Sequence, residues 1–334
     1  MADKAAPAIL FYTIQDFRFQ NGTNASVKLA YLDINPQASK TALVITCFRG
    51  RLQSTLNYAN GCLRDYRVIV VALFGNGESS SPSNTPDMPK SVDYRDCVRA
   101  QRQLLVRHLG ITCVDVMLGF SMGGQCTYYW NVMHPEFARN AVIVCSSART
   151  SRHNYQFLEG PKAALQNAID YVDASQKPTQ GPSRGLRAFG KAYSAWLTSA
   201  EWFEQEIYKT LGYETLAKWD VDVAGNNYSS WDPEDLLCKL QMWQHGDVTV
   251  VDESCEGKLD TALSKIQARV LLMPCQTDQY FRWEASEREV QWIPKAKLAV
   301  IPSIWGHLAG LGSNQADTEW MNKTIAEFLT DDLL

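Results

Sequence analysis

The run Gly119-Phe120-Ser121-Met122-Gly123-Gly124 sets a serine between glycines two positions to either side. A serine hydroxyl attacks a carbonyl only when it stands clear of the chain and a base can take its proton. A tight turn between a strand and a helix presents it that way, and side chains two positions away would collide with the turn or with neighbouring strands. The helix that follows would aim backbone N–H groups, that of Met122 among them, at a developing oxyanion, each worth about 3 kcal/mol of barrier. Without that context the same run is only a glycine-rich turn.

The context is present. Short apolar runs at 41–47, 68–73, 114–118, 141–145, 270–273 and 298–301 read as strands buried on both faces. The run at 114–118 leads straight into the elbow, and a helix runs from the elbow towards His134, where Pro135 stops it. An apolar stripe from Val92 to Leu109 predicts a helix over 91–109, and further helices are expected over 283–292 and 318–329. Strands alternating with helices imply a doubly wound, mostly parallel α/β sheet. From 147 to 257 no buried strand run appears, so this stretch reads as a helical lid inserted into a core formed by 1–146 and 258–334.

The serine needs a base, nearly always histidine, and the chain has five. His108 lies late in a predicted helix, His134 ends another, and His153 and His245 fall in the insertion. In a doubly wound sheet carrying a nucleophile elbow the triad order is serine, acid, histidine, with the histidine on a loop after the last strand. Only His307, in Gly306-His307-Leu308, fits. The acid belongs on the loop after 270–273, where Asp278 would hold the imidazole tautomer and stabilise its cation. A second oxyanion donor is expected from the loop after 41–47, with the backbone N–H of Phe48 the choice. Arg49 beside it reads equally as a contact for a substrate carboxylate or phosphate and as a surface arginine.

Composition bounds the rest. A 334-residue chain that is 46% hydrophobic and 20% charged is an ordinary globular composition, long enough to bury roughly 75% of its unfolded surface. A net charge of −4 argues against a nucleic-acid partner. Nine scattered cysteines without C-x-x-C spacing suit reduced thiols and a cytoplasmic location, and exclude a zinc ribbon. The N-terminal residues lack a signal-peptide h-region, and no run of 18 apolar residues exists to span a membrane. Gly75-Asn76-Gly77 lacks a Walker lysine, and His245 with Asp247 lacks a third ligand, so neither phosphate nor metal binding is expected, and no cofactor is.

With these residues in place, the chain resembles the homoserine O-acetyltransferase-like branch of the α/β-hydrolase superfamily. The resemblance rests on stretches 73–86, 146–154, 187–190, 243–247 and 302–307, and on the elbow. It implies the α/β-hydrolase fold, a Ser121–Asp278–His307 triad, and Phe120 and Trp305 as substrate contacts. Members that acetylate homoserine carry Gly-Gly-Ser-Met-Gly-Gly at the elbow, and here Phe120 replaces a glycine. Shorter relatives of this layout are mostly hydrolases, and some fungal ones resemble acyl or polyketide transferases and thioesterase-like release enzymes of secondary metabolism.

Five of the ten tryptophans, Trp196, Trp202, Trp219, Trp231 and Trp243, fall in the insertion. Core packing is the default for each ring, and together they favour a roomy apolar acyl pocket. The leading expectation is acyl transfer through a Ser121 acyl-enzyme to water or an alcohol, favouring hydrolase or thioesterase-like action on an ester or thioester presented free, on CoA or on a carrier protein, with a polyketide-type acyl chain of secondary metabolism among the expected substrates. Acetyl-CoA-dependent O-acetylation of a small hydroxylated metabolite is the enzymatic alternative, and a non-catalytic binding protein of the same fold is the alternative of another class. A homodimer is compatible with either.

Overall fold

The computed structural model describes residues 6–172 and 183–331; the first five residues and the stretch 173–182 of the expected insertion lie outside the described residues, as do the last three. Eight strands form one sheet: β1 (Leu10–Arg18), β2 (Asn24–Ile34), β3 (Thr41–Ile45), β4 (Arg67–Val71), β5 (Val114–Phe120), β6 (Ala138–Val144), β7 (Arg269–Met273) and β8 (Ala296–Leu298). Their order is β1-β2-β4-β3-β5-β6-β7-β8. Only β2 runs against its neighbours; every pairing from β4 to β8 is parallel.

The six apolar runs are all strands, and their alternation divides the core in two. Leu43, Ile45, Met117, Val270 and Leu272 pack on one face, with Ala42, Val44, Leu118, Leu271 and Met273 on the other. Helices cover both faces, so each strand buries side chains in both directions. The hairpin β1–β2 was not foreseen. Its second strand alternates exposed and buried residues, with Ala25, Val27 and Leu29 inward. That period of two is the signal for a half-buried strand.

Boundaries moved for local reasons. The helix expected over 91–109 begins after Asp93, whose side chain caps it in a reciprocal box with Asp96; it covers Tyr94–Gln103 and continues as a π-helical turn, Leu104–His108. The last strand was expected at 298–301 and is observed at Ala296–Leu298. Pro274, directly after the neighbouring strand β7, has no N–H to donate, and pairing resumes only as a single bridge between Cys275 and Ile301.

Between β6 and β7 the described elements are all helices, apart from one bridge, Arg149 to Asp247. Helices Arg152–Gln166, Arg184–Ser194 and Pro233–Gln244 pack into the first face of the core through Phe157, Phe189, Tyr193 and Trp243. Trp202, Tyr208 and Trp219 form a smaller cluster of their own, against which Trp305 leans.

Candidate active site

Strand β5 ends at Phe120, and Ser121 turns the chain into the helix Met122–Met133. Ser121 has φ +57° and ψ −125°, a conformation costly for any residue with a side chain. Neighbours hold it there. Its N–H donates to the Val144 carbonyl at 2.9 Å, and the Ser146 hydroxyl donates to its carbonyl at 2.7 Å. The flanking glycines are steric necessities. A Cβ on Gly119 would sit 2.1 Å from the Gly123 carbonyl oxygen, and one on Gly123 would sit 2.4 Å from the Ile45 oxygen. The elbow thus presses directly on the end of β3.

Asp278 follows β7 and His307 follows β8 in a 3-10 turn, Gly306–Leu311. His307 Nδ1 lies 2.6 Å from Asp278 Oδ2. The other carboxylate oxygen accepts from the N–H groups of Tyr280 at 3.1 Å and Phe281 at 3.0 Å, which fixes the carboxylate plane. Tyr280 and Phe120 hold the imidazole from its sides, with ring centroids at 4.4 and 4.6 Å. Ser121, Asp278 and His307 are 2, 4 and 4% exposed, so bulk water does not reach their polar atoms freely.

Ser121 and His307 line one cavity of about 570 Å³. Asp278 sits behind His307. Phe48, Arg49, Phe120 and Trp305, all singled out in the sequence, line it too. The Phe48 ring is stacked on Tyr193 at 5.9 Å. Among the described residues neither the Phe48 N–H nor the Met122 N–H donates a hydrogen bond, which leaves both able to bind an oxygen anion. Arg49 does lie at the cavity, where its Nε donates to the Asn227 carbonyl at 2.9 Å and so ties the β3 loop to the insertion.

Of the five insertion tryptophans, Trp202 and Trp219 reach the cavity. Trp196 packs on Phe157, Trp231 lies under the Arg51 guanidinium, and Trp243 stacks on Phe281. Tyr58, Tyr193, Tyr213, Tyr228 and Tyr280 add to the aromatic wall, and sequence reasoning missed all five. Tyr280 carried the clearest clue, two residues beyond Asp278. His245 bonds to the Gln241 carbonyl and Asp247 pairs with Arg149, so these two do not face a common point. Asn76 is buried and accepts from the N–H groups of Glu78 and Ser79, making its glycine-flanked loop a self-closed turn.

The sequence profile of the α/β hydrolase fold matches residues 44–312, which runs from β3 past His307. The chain belongs to that family. It is 30% identical to an ethyl acetate hydrolase of Pseudomonas veronii, over 89% of this chain and 87% of the relative. It is 26% identical to a homoserine O-acetyltransferase of Methanococcoides burtonii, over 72% of this chain and 50% of that one. The crystal structure of an acetylester hydrolase from Corynebacterium glutamicum superposes with a TM-score of 0.88 at 27% identity, covering 97% of this chain and 96% of that one. Relatives of both kinds support ester hydrolysis or acyl transfer as the general activity of this α/β hydrolase.

Proposed function

We propose that this α/β hydrolase cleaves small, uncharged esters through an acyl-enzyme on Ser121, with His307 as base and Asp278 as its orienting acid. The observation that carries the reading is the character of the cavity. Ser121 and His307 share it with mainly aromatic and aliphatic walls edged by serine, threonine and asparagine side chains; among the described residues no carboxylate lines it, and Arg49 is its one permanently charged side chain. In the sequence of events proposed, His307 Nε2 takes the Ser121 proton as Oγ bonds to the ester carbonyl carbon. The carbonyl oxygen becomes an oxyanion between the N–H groups of Phe48 and Met122. The C–O bond to the alcohol breaks as His307 returns the proton to it. Water then attacks the acyl-serine with His307 again as base, and the carboxylic acid leaves.

The same cavity weighs against acetylation of homoserine, whose ammonium group would enter a largely apolar chamber where, among the described residues, no carboxylate meets it. It weighs equally against a scaffold role, since every group the chemistry needs is kept. Residues 147–257 act in this reading as a cap, contributing Trp202, Trp219 and Tyr228 to the wall. Similarity to an ethyl acetate hydrolase points to short acyl chains. Thioesters remain chemically accessible to the same serine. A polyketide-type chain, a carrier-bound substrate and a place in secondary metabolism rested on resemblance alone, and no cavity residue adds to them.

The test pairs two assays. The chain should hydrolyse p-nitrophenyl acetate and lose that activity when a fluorophosphonate labels Ser121. CoA release from acetyl-CoA that requires homoserine, in a preparation inert to simple esters, would reverse the assignment.

A further inference from the structure

Lys239 is completely buried, an expensive location for a cation, and it lies in the helix Pro233–Gln244 of the insertion rather than in the catalytic core. Among the described residues no carboxylate forms an ion pair with it. The nearby Glu78 carboxylate accepts from the Leu52 N–H and the Asn76 amide, and Asp235 accepts from Ser83. The ammonium instead donates to a single recorded partner, the carbonyl oxygen of Cys47. That carbonyl belongs to the same peptide unit as the Phe48 N–H. A trans peptide is planar, with C=O and N–H pointing in opposite directions, and no cis bond occurs among the described residues. Anchoring the oxygen on one side therefore commits the N–H to the other. A cation on the oxygen also draws electron density from the amide and strengthens its N–H as a donor.

We propose that Lys239 is a positioning residue for the oxyanion hole, holding and polarising the Cys47–Phe48 peptide so that the Phe48 N–H faces the carbonyl oxygen attacked by Ser121. The inference rests on the assignment of the Phe48 N–H as an oxyanion donor. Proximity supports it: the elbow packs so closely on this strand end that a Cβ on Gly123 would meet the Ile45 and Thr46 oxygens. Lys239 acts through the peptide and touches no substrate, since it does not line the cavity. The cap thereby contributes to the chemistry as well as to the walls.

Burial pushes the Lys239 ammonium down to about 8, so its charge is lost within an accessible range. The groups that face it are Cys47 and Arg51 from the β3 loop, Glu78 from the loop after β4, and Cys97 from the helix Tyr94–Gln103. Cys238 lies beside it on its own helix. A neutral amine still donates, but without charge assistance.

The experiment compares the full chain with Lys239→Met, which keeps the length of the stem. Hydrolysis of p-nitrophenyl acetate is followed across pH, together with inhibition by a trifluoromethyl ketone whose adduct on Ser121 carries an oxyanion. The expected result for Lys239→Met is a kcat about tenfold lower with KM within about twofold, a fraction of the loss on removing an oxyanion donor outright. The ketone should weaken by the same factor, and the fall in kcat expected of the wild-type chain above about pH 8 should be absent from the variant. An unchanged kcat, or a change confined to KM, would overturn the proposal. Should the variant fail to fold by thermal unfolding, the wild-type profile decides, because a kcat that stays level through about pH 9 also overturns it. The underlying assignment fails separately. A wild-type chain that binds the ketone no better than its substrate has no oxyanion hole at Phe48, whereas tight wild-type binding left intact in Lys239→Met removes only the role of the lysine.

Discussion

The proposed reacting groups and the part of the cavity wall that residues 147–257 contribute come from different parts of the molecule and are held in different ways, while Phe48, Phe120, Tyr280 and Trp305 add wall from the core itself. Ser121, Asp278 and His307 sit on loops at the carboxyl edge of the sheet, each fixed by backbone hydrogen bonds, positive φ angles or glycine contacts. Half of the wall residues contributed by 147–257 are rings held by other rings: Trp202 against Phe203, Trp219 and Trp305, and Tyr228 against Phe189 and Tyr193. Backbone anchoring tolerates almost no displacement, whereas ring packing can be rebuilt with other rings of similar volume. The core should therefore decide whether chemistry occurs and the insertion which ester enters. Lys239 and Glu289 are two places where that division is crossed.

The comparison can be broken most decisively at the nucleophile. Ser121→Ala should lower kcat for p-nitrophenyl acetate on the order of 10⁶-fold while thermal unfolding is unaltered, and activity surviving at a tenth of wild type would show the core is not where the reaction happens. Asp278→Asn should cost on the order of 10⁴-fold in kcat, because the amide cannot hold the imidazole in its productive tautomer. Its measure is the same assay, with KM little changed.

In the insertion the effects should be of another kind. Trp219→Ala removes a ring that is 6% exposed and packed between Trp202 and Phe203, and should cost about 4 kcal/mol in chemical denaturation. Fluorophosphonate labelling of Ser121 should persist in the folded fraction, and preference should shift towards longer acyl chains. Loss of labelling with the fold intact would show that the insertion shapes the reacting groups themselves.

The smallest effect concerns the seam. Glu289 is buried, accepts from Tyr128 on the elbow helix and from the Ala148 N–H at the start of the insertion, and burial pushes its carboxyl from 4.5 up to about 7. The folded chain therefore keeps this proton to higher pH than the unfolded chain does. The associated stability is complete below about pH 4.5 and is lost as pH rises through about 7, a loss on the order of 3 kcal/mol. Glu289→Gln should flatten that part of the stability profile. A profile identical to wild type in urea unfolding would show that the seam does not carry a buried proton.

Much of the core was legible because its signals are local. The glycines at 119 and 123 report a close approach that any serine elbow imposes, and the structure returns it as contacts of 2.1 and 2.4 Å. Buried parallel strands announce themselves as short apolar runs, so six strands were placed to within three residues at either end. The β1–β2 hairpin was overlooked because an edge pair buries one face only and its alternation is diluted by polar residues.

The aromatic wall was harder to assign. Ten tryptophans are visible in the sequence, but whether a ring faces a cavity or the core depends on how helices far apart in the chain cross. Trp202 and Trp243 are alike in composition and burial, yet only the first reaches the cavity.

By itself the sequence determined that a strand–turn–helix carries Ser121 between close-packed glycines, that Asp278 and His307 follow on loops after later strands, and that the described elements of the intervening stretch are helices. Each depends on residue type and short-range spacing, which backbone sterics and hydrogen bonding translate directly into geometry. Only the tertiary structure decided that among the described residues no carboxylate lines the cavity, that Tyr280 stands against His307, and that a lysine 192 residues away reaches the carbonyl of Cys47. Those facts arise from which surfaces meet when the insertion closes on the sheet. The free energy that selects such contacts is spread over many side chains at once, so no single stretch of chain records it.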